Sequence, residues 1–343
     1  MQTATKHWDT YEDEAVTEYS IENDHGVKLA VLSWGATLHT LSVPTDKGDR
    51  NLVLSYHKMA HYLDNPFYVC MGIGRTGGRI SRGTFSLGQQ TYHVATNEGQ
   101  NTLHGGPDGF NTVNWAGQID TTDPNEPRII LTHTFKSTDD TYPGDLTAQM
   151  IYSLDNQDRV HLEFVGNSTA LTLFNPTAHL YFNLSDDDLI AGQTLQVNST
   201  ERLELDDEKL PTGRMLPNTG SAYDFANGQN LGESLRALQD IPEQGLDDVY
   251  HVTPDADLAI AKLSDPLTHR SVTIKSDRNA LVVFTGNSFN STMKLASGPG
   301  QPYMGIALEA QSLPDSPNHP EFGDVSLPAG ETRCYQISYD LTY

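Results

Sequence analysis

Cysteines and basic residues are scarce in this chain of 343 residues. The only cysteines are Cys70 and Cys334, which are too few for a disulfide framework and do not make a zinc site on their own. Lysine and arginine total 21 against 45 aspartate and glutamate residues, which gives a net charge of −24. Such an acidic chain repels phosphate backbones and anionic lipids, so we expect no nucleic-acid partner and no membrane partner.

Long apolar runs are also missing. No stretch is long enough to cross a bilayer, and the first eight residues lack the apolar core of a signal peptide. We therefore expect a cytoplasmic protein. A hydrophobic content of 37%, with 28 glycines and 18 prolines, indicates a folded chain rich in turns rather than a disordered one.

Helical patterning is scarce, and short strands dominate the chain. One short helix is predicted to begin after an Asn230 N-cap, and a second is predicted over residues 56–63. Strands are predicted at residues 27–43 (two strands), 83–96 (a hairpin), 129–136, 147–154, 160–165, 194–205, 258–263, 271–276, 280–285 and 333–343. No repeat or linker divides the chain. The pattern predicts an all-β sandwich or barrel, with residues 1–343 as a single domain.

The most informative stretch is residues 174–184, Phe-Asn-Pro-Thr-Ala-His-Leu-Tyr-Phe-Asn-Leu. Its alternation from Thr177 onward places His179, Tyr181 and Asn183 on one face of a strand and apolar residues on the other. The polar face could be an ordinary solvated surface. A histidine flanked by tyrosine and asparagine instead favours the floor of a polar cleft.

A second strand, over residues 304–311, separates its two faces in the same way. One face is apolar, and the other carries Gly305, Ala307, Glu309 and Gln311. We expect the two small residues to leave room for a ligand, with the Glu309 carboxylate at the edge of that room.

A glycine-rich segment projects two arginines. Gly72, Gly74 and Gly77 match the dinucleotide-binding fingerprint, but no helix opens after them, so we reject a nucleotide site. What remains is a tight loop carrying Arg75 and Arg79, whose fixed donors suit oxygen-rich ligands. For Arg75, however, we expect an ion pair with a nearby carboxylate.

Two further positions are ambiguous from the residues alone. His104 precedes Gly105 and Gly106, whose bare backbone would let a ligand approach closely, although a lone histidine in a turn is more often structural. Asp247 and Asp248 precede a predicted strand, and a surface turn explains them better when they are taken alone.

The chemistry that these residues offer is acid–base chemistry. The chain has no Gly-x-Ser-x-Gly elbow and no His-Glu-x-x-His motif, and Cys70 has no partner to activate it. Glycoside hydrolysis would need a second acid beside Glu309, for which Asp247 is the only candidate. A glutamate with a histidine instead suits proton transfer at both ends of one bond, without a nucleophile or a metal.

These segments, in this order, resemble the aldose 1-epimerase (galactose mutarotase) family over nearly the whole chain. The resemblance rests on Asn101-Thr-Leu-His-Gly-Gly, on Tyr142-Pro-Gly, on residues 175–184 and on Glu309-Ala-Gln with the prolines that follow. It implies a large antiparallel β-sandwich of the supersandwich type. It also implies a monosaccharide substrate, a hexose, in a cleft across one sheet, with no cofactor.

The resemblance implies a role for each candidate residue. Glu309 would take the proton of the anomeric hydroxyl while His179 protonates the ring oxygen, which opens the ring to the aldehyde. Rotation about the C1–C2 bond and reclosure would give the other anomer. His104 and Arg79 would hold and polarise the same oxygen region, and Asp247 would accept hydrogen bonds from sugar hydroxyls.

Three departures from the family leave the preferred sugar open. Gly78 stands where many members have asparagine, and Val282 stands where some have glutamine. Asp248 stands where histidine or asparagine is usual, and it is expected to add a negative charge near the cleft rim.

The alternatives are other roles in carbohydrate recognition. A hexose-6-phosphate 1-epimerase would need an extra cation, which Arg75 or Arg82 could supply, although the acidic balance argues against it. The others are a non-catalytic sugar-binding sandwich and a related enzyme that acts on a disaccharide. The oligomeric state is left open.

Overall fold

The computed structural model describes residues 1–64 and 66–343 and has an all-β architecture with antiparallel sheets. The nine-stranded sheet has the spatial order Ala116–Asp120, Arg128–Phe135, Leu146–Leu154, Arg159–Ser168, Thr332–Thr342, Ser271–Ser276, Asp255–Ser264, Thr194–Val197, Gln229–Asn230. The six-stranded sheet has the order Tyr181–Phe182, Ile306–Gln311, Ala280–Phe284, Asp247–His251, Glu201–Leu205, Pro211–Pro217. The five-stranded sheet is a meander of Gln2–Tyr11, Glu14–Glu22, Lys28–Leu32, Thr37–Val43 and Arg50–Asn51.

Short ladders and short helices account for the other described elements. The two-stranded ladders are Gly72–Ile73 with Thr177–Ala178, Arg79–Ile80 with Thr102–Leu103, Thr84–Leu87 with Gln90–His93, Thr172–Leu173 with Ser326–Leu327, and Lys294–Leu295 with Gly298–Pro299. The α-helices are Met59–Leu63, Ser137–Asp140 and Leu231–Ala237. The 3₁₀ turns are Ser81–Gly83, Phe110–Thr112, Ile190–Gly192, Ser316–Asn318 and Pro320–Phe322.

The nine-stranded and six-stranded sheets share one apolar core. Strand Arg159–Ser168 alternates strictly, so Val160, Leu162 and Phe164 are buried while the residues between them are partly exposed. Phe182 from the six-stranded sheet meets Tyr339 from the nine-stranded sheet with ring centroids 5.7 Å apart. Two sheets that bury facing apolar sides in this way form a β-sandwich.

The five-stranded sheet packs against the nine-stranded sheet through buried side chains and two long-range hydrogen bonds. The Tyr19 hydroxyl donates to the Gly117 carbonyl over 3.0 Å, and the Tyr152 hydroxyl donates to the Ala36 carbonyl over 3.0 Å. These bonds satisfy polar atoms that the packing removes from water.

Most of the predicted elements are confirmed. The predicted hairpin is formed by Thr84–Leu87 and Gln90–His93. The Asn230 side chain caps the helix Leu231–Ala237 by accepting a hydrogen bond from the backbone N–H of Glu233. The helix predicted over residues 56–63 is shorter and spans Met59–Leu63.

The prediction that residues 174–184 form one strand is wrong. Thr177–Ala178 pairs with Gly72–Ile73, whereas Tyr181–Phe182 pairs with Ile306–Gln311, and the chain changes sheets between them. Both alternating sets of side chains in residues 174–184 are buried, so the alternative of a solvated face is wrong as well. Residues 194–205 divide likewise, into Thr194–Val197 and Glu201–Leu205 in different sheets. Alternation predicts which way side chains point but not where a chain changes partners.

The helices in the described part of the chain lack the length and apolar character that crossing a bilayer requires.

Candidate active site

A cavity of about 300 Å³ lies on one face of the six-stranded sheet. Its floor consists of side chains that stand opposite one another on neighbouring strands, Glu309 beside Val282 and Phe284 beside Asp247. Leu308, which points to the other side of the sheet, belongs to the main core. The sheet therefore separates the cavity from the core of the sandwich.

All five residues that the sequence singled out line this cavity: Arg79, His104, His179, Asp247 and Glu309. They come from five separate segments of the chain. Loops supply the rest of the wall, including Tyr68, Glu98, Lys209 and Pro314. The cavity is therefore a place where distant segments meet, as the sequence predicted for the histidines and Glu309.

Glu309 and His179 meet at the buried end of the cavity. Glu309 Oε1 lies 3.5 Å from His179 Nε2, and the two side chains are only 2% and 7% exposed. The His179 backbone N–H donates to the Met71 carbonyl over 3.0 Å, and its carbonyl accepts from the Cys70 N–H over 3.0 Å. Backbone hydrogen bonds thus fix His179 at the point where the chain changes sheets.

Burial controls the protonation of this pair. Removal from water raises the pKa of Glu309 to about 8, and the nearby Asp247 carboxylate adds to the rise. Removal from water also lowers the pKa of His179 to about 4. Both shifts favour uncharged side chains. At a pH between these two pKa values the pair therefore holds one proton, on the Glu309 carboxyl group.

His104 stands edge-on to His179. The ring centroids are 5.2 Å apart and the interplanar angle is 83°. The Gly78 N–H donates to His104 Nδ1 over 3.2 Å, which leaves the proton of the neutral ring on Nε2. Burial, reinforced by His179 and Arg79, lowers the pKa of His104 well below its usual value. His104 is therefore a neutral hydrogen-bond donor.

Gly105, directly after His104, serves packing rather than ligand access, contrary to the expectation from sequence. A Cβ on Gly105, at φ +89°, would lie 1.9 Å from the Gly74 carbonyl oxygen. The close approach that the bare backbone permits is therefore to Gly74.

Several polar atoms at the buried end have no hydrogen-bond partner among the described residues. They are His179 Nδ1, Tyr181 Oη, Glu309 Oε2 and both amide atoms of Gln311. Buried polar atoms are nearly always paired in native proteins, and each unpaired one costs roughly 1–3 kcal/mol. A ligand rich in hydroxyl groups offers the kinds of donor and acceptor that these four side chains lack.

Charged residues at the wider part of the cavity are already paired with one another. Arg79 binds Glu98 through two bonds, Nε to Oε2 over 2.5 Å and Nη2 to Oε1 over 2.7 Å. Asp247 Oδ2 lies 3.8 Å from Lys209 Nζ, and burial raises the pKa of Asp247. Asp247 begins the strand Asp247–His251 and lines the cavity, so the simpler interpretation of a surface turn is wrong.

Two expectations about the cavity floor need correction. The space above Gly305 is filled by protein, because a Cβ there would lie 2.7 Å from Leu54 Cδ1 and 3.2 Å from Tyr181 Cβ. Asp248 is not among the residues that line the cavity. It pairs instead with Arg202, whose Nε lies 3.2 Å from Asp248 Oδ1.

Arg75 has the structural role that was expected of it. It is 1% exposed, and its Nε and Nη2 donate to Asp140 over 2.6 and 3.0 Å. Nη1 donates to the Thr172 hydroxyl and to the Pro143 carbonyl. This guanidinium is fully engaged and is not among the residues that line the cavity.

Three residues to which the sequence assigned no role in the site contribute to it. Tyr68 contacts both imidazoles, with ring centroids 4.9 Å from His104 and 6.0 Å from His179. Gln311 follows Glu309 on the same face of its strand, which was a usable signal. Arg278 lies outside the cavity but holds the two segments that carry the acid–base pair.

Arg278 joins the start of the His179 segment to the end of the Glu309 strand. It is 1% exposed and donates to Asn175 Oδ1, to the Pro176 carbonyl over 3.2 Å and to Ser312 Oγ over 3.1 Å. Its guanidinium lies 3.6 Å from the centroid of the Tyr335 ring. Because Arg278, Asn175 and Pro176 are buried, this part of the crosslink is rigid.

The buried trio could in principle hold a metal ion. One ligand atom each of His104, His179 and Glu309 lies within 4.8 Å of the others, and two histidines with a glutamate form a known zinc donor set. Metal-bound histidines, however, usually donate their second ring N–H to a fixed partner. His179 Nδ1 has no such partner among the described residues.

Comparison with known sequences identifies relatives along almost the full chain. The sequence model of the family described as aldose 1-epimerase matches residues 17–340. A maltose epimerase from Levilactobacillus brevis is 40% identical over 334 residues, which cover 97% of each chain. An aldose 1-epimerase from Streptococcus thermophilus is 35% identical over 332 residues, with 94% of each chain covered.

Comparison with solved structures gives the same result for the fold. A galactose 1-epimerase from Lactobacillus acidophilus superimposes with a TM-score of 0.86 at 27% identity. The match covers 99% of this chain and 98% of the other. The expected galactose mutarotase-like β-sandwich is therefore confirmed.

The crosslink made by Arg278 leads to a prediction. Arg278→Met keeps the length of the side chain but removes the guanidinium donors to the Asn175 and Pro176 oxygens, and only the bond from the Ser312 N–H to Asn175 Oδ1 remains on that side-chain oxygen. We expect the free energy of unfolding to fall by roughly 2–4 kcal/mol. In urea-unfolding and steady-state measurements, kcat should fall more than KM rises, because the acid and the base lose their alignment while the sugar-binding groups stay.

The matched control is Arg236→Met, which changes an exposed arginine on the helix Leu231–Ala237. It should alter stability by no more than about 0.5 kcal/mol. Equal effects of the two substitutions on stability and kcat would contradict the role given to Arg278.

Proposed function

The chain belongs to the aldose 1-epimerase family of isomerases, and we propose that it interconverts the α and β anomers of free hexoses such as glucose and galactose. The observation that carries this proposal is the buried contact of Glu309 with His179, 3.5 Å apart, in a cavity of about 300 Å³. Ring opening needs one proton removed and one proton added across a single C–O bond. A pair that holds one proton can do both.

In the resting pair the proton is on Glu309, and the binding of sugar moves it to His179. Hydroxyl groups that donate to a carboxylate stabilise its ionised form, and Glu309 Oε2 is unpaired before sugar arrives. The proton needs to cross only the 3.5 Å gap between Glu309 Oε1 and His179 Nε2. Substrate thereby creates the base and the acid in one step.

The pair of Glu309 and His179 ends the ring-opening step with the same number of protons with which it began. The Glu309 carboxylate takes the proton of the C1 hydroxyl, the C1–ring oxygen bond breaks, and His179 protonates the departing ring oxygen. The result is the open aldehyde beside a neutral acid and a neutral imidazole, which is the protonation state that burial already favours. After rotation about the C1–C2 bond, the same steps in reverse close the ring to the other anomer.

The remaining candidates orient the sugar. His104 donates its Nε2 proton toward the ring oxygen, because its Nδ1 is occupied by the Gly78 N–H. Arg79 Nη1 has no hydrogen bond to the described residues and can donate to a hydroxyl, while Glu98 fixes its plane. Asp247 accepts hydrogen bonds from hydroxyls farther along the ring. Orientation of this kind contributes to rate in addition to the acid and the base.

The charges at the cavity argue against a 6-phosphate substrate. Its two cationic lining residues, Arg79 and Lys209, each already contact carboxylates. Arg75 is buried in its own ion pair, and Arg82 is not among the lining residues. The three carboxylates that these two cations contact would therefore repel a phosphate, whereas a neutral sugar would not be repelled.

A purely sugar-binding role has no use for the buried acid–base pair. Desolvating Glu309 and His179 without other partners destabilises the fold, and a binder could replace both with neutral amides. The Levilactobacillus brevis relative is named a maltose epimerase, which makes reducing disaccharides a second substrate class for this chain.

Substitution of the pair tests the assignment. Glu309→Gln and His179→Asn should each lower kcat by about 10²–10⁴-fold, the usual contribution of one positioned acid or base. Both remove an ionisable group and keep a polar one, so thermal unfolding should shift little. Polarimetry of freshly dissolved α-glucose and α-galactose gives the rates.

Exposed residues of the same types serve as controls. Glu331→Gln and His57→Asn change solvent-facing side chains and should leave turnover within twofold of the unsubstituted enzyme. If Glu309→Gln or His179→Asn kept half or more of the turnover of the unsubstituted enzyme, the proposed roles would be wrong.

The pKa shifts lead to a second prediction, on pH. Below about pH 4 both Glu309 and His179 hold a proton, so the site has no base. Above about pH 8 neither residue holds a proton, so the site has no acid. After subtraction of the spontaneous rate, kcat/KM should therefore form a plateau between these values. The loss of activity above about pH 8, which is the upper limb of this profile, should be missing from the residual activity of Glu309→Gln. An upper limb that stayed in that variant would assign it to another group, such as Asp247.

A further inference from the structure

A second cavity opens beside the first at its mouth. Its volume is about 420 Å³, and it shares Arg79, Glu98 and Lys209 with the cavity that holds Glu309 and His179. We call it the outer cleft. Its own lining comes from residues 99–101 and residues 207–208.

The orientation of a bound sugar determines what could enter the outer cleft. The reacting C1 and ring oxygen must lie at the buried end, where Glu309 and His179 are 2% and 7% exposed. C4 is across the pyranose ring from C1, so it faces the mouth. The mouth is the more exposed end, with side-chain exposures of 40% for Glu98 and 31% for Asp247. A substituent on O4 would therefore leave the inner cavity at the outer cleft.

The walls of the outer cleft are tied together before any ligand arrives. Asn101 is 3% exposed, and its Nδ2 donates to Glu208 Oε2 over 2.9 Å, which joins one wall to the other. Asn101 Oδ1 accepts from the Arg82 N–H over 3.0 Å. Glu98 is held by both bonds from Arg79. A fixed cleft binds with a smaller loss of conformational entropy than mobile loops would.

The chemistry of the lining selects the class of ligand. Apart from Gly99, its side chains are carboxylates, amides and two paired cations, without an aliphatic or aromatic group. Such a surface offers hydrogen bonds to hydroxyl groups beside the apolar stems of Arg79 and Lys209, a combination that suits a sugar ring. Its excess of carboxylates, including Asp207 and Glu208, disfavours anions.

We infer that the outer cleft is a subsite for the non-reducing sugar of a 1,4-linked reducing disaccharide, whose reducing ring opens between Glu309 and His179. This inference rests on the proposed function and adds to it the position of the second ring. The contacts are hydrogen bonds from hydroxyls to Glu98, Gln100 and Glu208.

The test is to fill the cleft and compare two sugars. Gln100 is exposed and lies in the cleft wall, so Gln100→Trp adds bulk there without entering the core. Polarimetry gives kcat/KM for freshly dissolved α-maltose and for α-glucose. Glucose has no second ring, so we expect the maltose-to-glucose ratio to fall about tenfold in this variant, mainly through KM for maltose.

The matched control is Gln89→Trp, which makes the same change at the exposed turn between strands Thr84–Leu87 and Gln90–His93. It should leave the ratio unchanged. Glu208→Ala removes a hydrogen-bond acceptor from the cleft wall and should also lower the maltose-to-glucose ratio. This second variant keeps the test valid if Gln100→Trp fails to fold.

The outcomes separate this inference from the proposed function. Turnover of glucose without turnover of maltose by the unsubstituted enzyme would overturn the subsite and leave the proposed function standing. Turnover of both sugars with an unchanged ratio in Gln100→Trp and Glu208→Ala would also overturn it. Turnover of neither sugar would overturn the proposed function and this inference together.

Discussion

The site depends on the burial of a carboxyl group against an imidazole. Water would charge Glu309 and leave His179 to titrate separately, whereas the cavity raises one pKa and lowers the other. Val282, directly opposite Glu309 on the neighbouring strand, is an apolar neighbour that contributes to this dry environment. The resulting pair shares one proton, and that is the number of protons that opening and closing a hemiacetal ring requires.

The sandwich supplies the rigidity that such a pair needs. Glu309 lies on an inner strand of the six-stranded sheet, between Tyr181–Phe182 and Ala280–Phe284, and His179 lies where the chain crosses from one ladder to that sheet. Arg278 then binds both segments from behind the cavity. Acid–base chemistry tolerates little movement of its groups, so placing them on crosslinked backbone rather than on free loops favours catalysis.

Sequence patterns predicted the parts of this arrangement that follow from local physics. Alternation predicted the strand with Glu309 and Gln311 on one face, and turn residues predicted the hairpin around Gly88. The same patterns could not show that residues 174–184 change sheets, because strand pairing depends on distant segments. Nor could they place Arg278 or Tyr68, whose roles arise only from three-dimensional neighbours. The misassigned purpose of Gly305 has the same origin, since Leu54 fills the space above it.

The most direct test is to titrate Glu309 itself. Carbon-13 NMR of the glutamate side-chain carboxyl groups, with Glu309→Gln used to assign the signal, reports its protonation without reference to activity. We predict an inflection near pH 8 in the sugar-free protein, because burial raises the pKa of Glu309 to about 8. An inflection near the value of an exposed glutamate, about 4.3, would show a solvated carboxylate and contradict the shared proton.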